Sequence, residues 1–168
     1  MLATAMAAVG GATVGTLAST ASAATGTTCS ASNATATITP GIKFTSTGHQ
    51  SVAATFSITG CKKAGSPPAT GVSGTLKMTS SNLACLSGSA SGTFSAKANN
   101  SAKSPASGTI TLKATSTALK FTISGKVTKG FLSGSAIKGT FNATPVKGNC
   151  SSSPLTKATI KNMGSVSL

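Results

Sequence analysis

Apolar and polar residues alternate with a period of two along most of the chain, and this alternation restricts the fold more than any other sequence feature. Between Val52 and Ile58, for example, every second residue is apolar and the residues between them are Ala, Thr and Ser. Successive side chains of a β-strand point to opposite faces, so the pattern predicts strands with one buried face. The predicted strands cover 52–58, 72–78, 90–96, 108–114, 119–127 and 137–143, with shorter ones around Ile38 and at 42–44, 158–160 and 166–168.

The pattern predicts an all-β domain of about eight or nine antiparallel strands. We expect an antiparallel β-sandwich, with a small closed or partly closed β-barrel as the alternative. A motif of Gly-Thr followed by a large apolar residue recurs at Gly74, Gly92, Gly108 and Gly139. These glycines fall on predicted inward faces, where the missing side chain lets a strand bend or another backbone approach closely. Phenylalanines are expected to be inward too, except Phe131, which lies in a predicted loop.

The first residues resemble a targeting segment. No charged side chain occurs from Leu2 to Leu17, and the stretch is followed by Ala21-Ser22-Ala23, the small-x-small pattern that signal peptidase cuts. We therefore predict a signal peptide at 1–23 and a single β domain at 24–168. The expected location is secreted or extracellular, with association with the cell envelope as a further expectation.

The cysteines predict disulfides. Cys29, Cys61, Cys85 and Cys150 contain no C-x-x-C pair, and two disulfides are the plain interpretation behind an export signal. Three pairings are possible. We favour Cys29–Cys61 with Cys85–Cys150, each of which would stabilise the fold by ~4 kcal/mol in the chain-entropy description.

The absence of acidic residues excludes many enzyme classes. The sequence holds no Asp or Glu and a single histidine, His49, so paired-carboxylate catalysis, calcium and magnesium sites and a Ser-His-Asp triad cannot be built. We interpret His49 as a turn residue. The expectation is a protein that is not an enzyme and has no catalytic residues, no cofactor and no metal site.

The lysines suggest an anionic partner. The chain carries 14 Lys and a net charge of +14, and lysines alternate with the apolar residues, which places them on outer strand faces. An anionic cell-envelope polymer or membrane surface is the expected partner. Sequence-specific nucleic-acid recognition is not expected, because the chain lacks Arg, Tyr and Trp. The candidate contact residues are Lys62, Lys63, Lys77, Lys97, Lys113, Lys126 and Lys138.

Three kinds of function are compatible with these features. The leading hypothesis is a non-enzymatic secreted or cell-envelope protein that associates with anionic surfaces through its lysines. One alternative is a barrel that carries a small apolar or lipid-like ligand in its interior. A further alternative is an anion-selective pore, or a surface-filament subunit that assembles through strand edges. The sequence leaves the oligomeric state open.

Several short segments resemble small secreted, disulfide-containing β-proteins of actinobacteria that are rich in Ser, Thr and Gly. The resemblance implies export and a β fold over nearly the whole mature chain, and it supplies no catalytic residues. This chain departs from the pattern in its lack of Trp and its excess of Lys. The segments that carry it are Thr39-Pro40-Gly41-Ile42, Gly60-Cys61, Cys85-Leu86-Ser87-Gly88, Gly130-Phe131-Leu132-Ser133-Gly134, Lys138-Gly139-Thr140-Phe141 and Gly148-Asn149-Cys150.

Overall fold

The computed structural model describes residues 28–45, 48–62, 71–99, 105–117, 119–161 and 166–167. Within these ranges the chain forms strands and no helix, which confirms the prediction of an all-β antiparallel fold. The predicted signal peptide at 1–23 lies outside the described residues. The strands are β1 (Thr28–Ile42), β2 (Gln50–Lys62), β3 (Gly71–Ser80), β4 (Ser89–Ala98), β5 (Ala106–Ala114), β6 (Lys120–Lys129), β7 (Ala136–Lys147), β8 (Leu155–Lys161) and β9 (Val166–Ser167).

The sheet closes into a barrel. Each strand from β1 to β7 pairs antiparallel with the next strand along the chain, and β8 pairs back onto β1. Thr35 of β1 shows the closure, because it lies opposite Thr55 of β2 on one side and Thr159 of β8 on the other. The short β9 adds pairings with β1 and β7. The barrel predicted as the alternative is therefore the fold, and the leading expectation of two packed sheets was wrong.

Inward glycines favour closure because they let neighbouring strands coil closely. Gly74 lies opposite Phe56 and Gly108 lies opposite Phe94. A Cβ atom at Gly74 would come within 2.8 Å of the Phe56 ring, and one at Gly108 within 2.9 Å of the Phe94 ring. Either Cβ would also collide with a carbonyl oxygen of an adjacent strand. The repeated motif thus serves packing and curvature, as predicted for its inward position.

Apolar side chains line the inner face of the barrel, and one phenylalanine, Phe44, corrects the sequence prediction. Phe121 and Phe141 stack with ring centroids 5.7 Å apart. Phe44, expected to point inward, is 42% exposed, because β1 ends at Ile42 and alternation no longer governs the connection that follows. Phe131 lies in a turn, as predicted, and its side chain is half-buried and packs against the core.

Candidate functional site in the barrel interior

The barrel contains a cavity of about 130 Å³. Its lining comes from all eight long strands, and every lining side chain is Ala, Val, Leu, Ile, Met or Phe. An eight-stranded barrel is just wide enough to be filled by side chains or to hold one small ligand. Small side chains at inward positions leave this space unfilled, among them Ala36, Ala54 and Ala143. The interior can therefore accept an apolar group but offers no charge to it.

The loop between β3 and β4, residues 81–88, closes one end of the barrel and is called the cap loop below. Leu83 of this loop is 1% exposed and lines the cavity. Hydrogen bonds tie the loop to two neighbouring connections: the Cys85 N–H donates to the Lys43 carbonyl at 3.0 Å, and the Leu119 N–H donates to the Cys85 carbonyl at 3.3 Å. The Ser80 hydroxyl accepts from the Leu83 N–H at 2.8 Å, which fixes the start of the loop.

A disulfide fastens the cap loop to the fourth connection at this end. Cys85 bonds to Cys150, which lies between β7 and β8, and this confirms half of the favoured pairing. Asn149 shapes that connection, because its side-chain oxygen accepts from the N–H groups of the following residues Ser151, Ser152 and Ser153 at 3.2, 3.0 and 3.1 Å. One loop is thus linked to all three others at the capped end.

The second pairing stays a prediction. The backbone register of β1 and β2 places Cys29 directly opposite Cys61. Directly opposed residues on antiparallel strands are about 4.5–5.5 Å apart, a Cα separation within the range that disulfides use. The side chains of both cysteines lie outside the described part of the chain.

The turn between β6 and β7, residues 130–135, contributes to the other end of the cavity. Phe131 and Leu132 are half-buried there and both line the cavity. The turn is held by its own backbone, since the Gly134 N–H donates to the Val127 carbonyl at 2.8 Å and the Ser135 N–H to the Leu132 carbonyl at 3.0 Å. Sequence alternation could not find these two residues, because a turn does not follow the period of a strand.

Polar groups are scarce inside the barrel, and one of them lacks a partner. Ser32, Gln50 and Ser80 are the buried polar residues of the described chain. The Ser80 hydroxyl is fully engaged: it donates to the Ser89 carbonyl and accepts from the Asn82 and Leu83 N–H groups. In contrast, Oε1 of Gln50 is buried and receives no hydrogen bond.

The histidine and the cysteines form no metal cluster within the described ranges. His49 is exposed in the connection between β1 and β2, where the sequence analysis placed it. Cys85 and Cys150 are already bonded to each other. These residues therefore supply no described centre for acid–base or metal chemistry.

The lysines of the described part of the chain face outward. Lys77, Lys97, Lys113, Lys126 and Lys138 are all exposed, as predicted, and lie on the five successive strands β3 to β7. They are spread over the barrel rather than gathered into one cluster. The side chain of Lys62 and all of Lys63 lie outside the described residues. No described lysine lines the cavity.

A closer pair of lysines was missed by the sequence analysis. Lys147 of β7 and Lys157 of β8 are directly opposed on adjacent strands, and both are exposed. Like charges in this arrangement repel each other, and the chain has no Asp or Glu to neutralise them. No local sequence pattern indicates this pair, because only the register of β7 and β8 brings the two residues together.

Hydroxyl groups form a continuous row across the outer surface. The row crosses seven strands, each member being directly opposed to the next. Cross-strand Thr and Ser pairs stabilise a sheet and keep its outer face polar. The members, in order from β5 round to β7, are Ser107, Ser95, Thr75, Thr55, Thr35, Thr159 and Thr144.

Comparison of the chain with protein-family models, with curated proteins and with solved structures found no match. Among the described residues there is also no helix long and apolar enough to cross a membrane.

Proposed function

We propose that this protein is a non-enzymatic secreted carrier that binds a small apolar molecule inside its barrel. The observation that carries the proposal is the cavity of about 130 Å³ with an entirely apolar lining. A cavity of ~150 Å³ with a similar lining is known to stay dry and to bind benzene or xenon. A molecule of the size of one aromatic ring, or a short branched chain, fits this interior.

Export is part of the proposal and has separate support. The buried disulfide between Cys85 and Cys150 is compatible with an extracellular protein, since such bonds persist in oxidising compartments. The small-x-small pattern at Ala21-Ser22-Ala23 supports the same location. The resemblance to secreted actinobacterial β-proteins agrees with it.

Toluene binding tests the cavity function. Ala54 lines the cavity, whereas its neighbour Ala53 is exposed on the outer face of the same strand. Leu at position 54 adds three carbon atoms to the cavity, and Leu at position 53 adds them to solvent. We expect toluene to raise the melting temperature of the wild type and of Ala53→Leu by mass action. The affinity of Ala54→Leu for toluene should be at least tenfold lower than that of the wild type.

Two results with toluene would contradict the carrier function. A wild-type melting temperature unchanged in toluene-saturated buffer would show that the cavity does not take up apolar molecules. Equal toluene affinities of Ala53→Leu and Ala54→Leu would place any binding site elsewhere. Native mass spectrometry of protein purified from its source extends the test. A carrier should show the mass of the protein with its bound molecule, and the mass of the protein alone would count against the proposal.

A second function, association with an anionic polymer, is favoured by the opposed Lys147 and Lys157. An anionic group placed between them would relieve their mutual repulsion, and no side chain of this protein can do so. The other exposed lysines would add a diffuse attraction that salt screens. This role uses the outer surface, so it is compatible with a ligand inside the barrel.

Retention on a polyglutamate column tests the second function. We expect elution by salt well below ~0.5 M, where screening is strong. The double variant Lys147→Gln/Lys157→Gln should elute at lower salt than Lys77→Gln/Lys138→Gln, which removes the same charge from lysines on strands β3 and β7. Equal elution of the two variants would reduce the effect to net charge, and retention of the wild type unchanged by ~0.5 M salt would refute it.

A filament formed through strand edges receives no such support. Each of the eight long strands is paired on both sides within the described barrel. A closed barrel removes the free edges through which strands of different molecules could pair.

A further inference from the structure

We propose that the capped end of the barrel docks on the surface of an anionic lipid bilayer, on the side where β7, β8 and β1 are neighbours. The inference rests on the second proposed function, anion binding at Lys147 and Lys157, and names the partner of that site. Two large apolar side chains of the described chain are exposed, Phe44 at 42% and Val146 at 54%. Both lie on this side of the capped end, Phe44 just beyond the end of β1 and Val146 near the end of β7.

Exposed prolines connect the two apolar side chains into one strip. A Cβ atom placed on Gly41 of β1 would lie 2.9 Å from the Cβ of Pro154, and one placed on Gly148 would collide with the Pro154 carbonyl. Gly41 is three positions before Phe44, and Gly148 is two positions after Val146. Pro154 therefore lies between the two ends of the strip. The docking strip, as we call it, consists of five exposed residues: Pro40, Phe44, Pro145, Val146 and Pro154.

Lysines flank the docking strip. Lys147 follows Val146 directly and is opposed to Lys157 of β8. Lys43 precedes Phe44, and all three lysines are exposed. An apolar patch with a cationic border suits an anionic bilayer, because the apolar groups enter the lipid while the ammonium groups stay at the headgroups. A soluble polyanion would engage the lysines but would leave Phe44 and Val146 in water, so the strip favours a bilayer over a polymer.

The charge of the chain disfavours a second copy of this protein in the same place. The sequence has a net charge of +14 and contains no Asp or Glu. A dimer formed through the docking strip would bring the lysines of one copy close to those of the other, with no acidic side chain to compensate. Anionic headgroups supply the missing negative charge, and the lipid interior accepts the apolar side chains.

Co-sedimentation with lipid vesicles tests the apolar part of the docking strip. We expect the protein to bind vesicles that contain phosphatidylglycerol and not vesicles of phosphatidylcholine alone. About half of each apolar side chain is available for burial, so Phe44→Ser/Val146→Thr should lower the partition constant at least about tenfold. Retention of this variant on polyglutamate should not change, because its lysines are intact.

Two lysine variants test the charged part. Lys147→Gln/Lys157→Gln should lower the partition constant on phosphatidylglycerol vesicles about fivefold for each lysine removed. Lys77→Gln/Lys138→Gln removes the same charge from positions outside the docking strip, and its effect should be smaller. Equal effects of the two variants would overturn the assignment of docking to this strip.

A single tryptophan reports the contact with lipid directly. The chain has no Trp, so Phe44→Trp introduces one fluorophore into the docking strip. Its emission should shift to shorter wavelength on addition of phosphatidylglycerol vesicles and should not shift with polyglutamate. Thr93→Trp is the matched control, since Thr93 is exposed on β4, four strands from β8 in either direction around the barrel, and its emission should stay unchanged.

The results separate bilayer docking from simple anion binding. If the wild type is retained on polyglutamate but does not bind phosphatidylglycerol vesicles, the inference is overturned and the second function stands. If it binds neither, both are overturned. Equal vesicle binding by the wild type and Phe44→Ser/Val146→Thr would reduce docking to charge and overturn the inference. Should that variant fail to fold, Phe44→Trp decides, because an unshifted emission on bound vesicles also overturns it.

Discussion

Removal of the disulfide in the cap loop should cost the protein much of its stability. Cys85 and Cys150 are separated by 65 positions in the chain, and the entropy of closing a loop of that length corresponds to ~4 kcal/mol at 25 °C. This is a large part of the ~5–15 kcal/mol by which native domains are stable. The double variant Cys85→Ala/Cys150→Ala keeps the backbone of the cap loop and its hydrogen bonds to Lys43 and Leu119.

Urea denaturation followed by far-ultraviolet circular dichroism measures the cost. For a small domain with an m-value of ~1–3 kcal/mol/M, the loss should lower the midpoint by roughly 1.5–4 M. Ser87→Ala, an exposed position in the same loop, is the control and should leave the midpoint unchanged. A loss below ~1 kcal/mol in the double variant would refute the reasoning, because backbone hydrogen bonds alone would then suffice to hold the loop.

Three further predictions follow from packing and charge. Gly92→Ala should lower stability by about 1–3 kcal/mol in the same urea assay, since its Cβ would collide with the Lys77 carbonyl of β3; the neighbouring outward change Ser91→Ala should not. Leu83→Ala should lower the free energy of unfolding by about 2–5 kcal/mol. It should also enlarge the cavity enough for naphthalene to raise the melting temperature of the variant. A naphthalene effect on the wild type would contradict the cavity volume of about 130 Å³. Between pH 7 and pH 3 the melting temperature should change by less than about 4 °C, corresponding to roughly 1 kcal/mol, because acid unfolding acts mainly through carboxylates and the chain has no Asp or Glu; a larger fall would refute this.

Local patterning predicted most of the strands and the faces of their residues. In the regular strand β5, every second residue is buried and the residues between them are more exposed, as the period of two requires. The buried residues are Ala106, Gly108, Ile110, Leu112 and Ala114. The outward lysines and the packing role of the motif glycines followed from the same parity. The absence of Asp and Glu is a property of composition. It excluded paired-carboxylate catalysis, calcium and magnesium sites and a Ser-His-Asp triad before any fold was considered.

The arrangement of those strands was decided by contacts between residues far apart in the chain. A sandwich and a barrel have the same alternation along every strand, so the choice between them depended on β8 returning to β1. The same long-range register placed Lys147 beside Lys157. Phe44 was misassigned because connections have no fixed period.

Sequence alone therefore determined which side of each strand is dry, because that depends on neighbours two residues away. The tertiary structure alone decided that the dry side encloses unfilled space, since a volume of about 130 Å³ is the small remainder left when side chains from eight strands meet. It also decided that Gln50, a polar residue at a strand end, is turned inward and left with an acceptor that no described group satisfies.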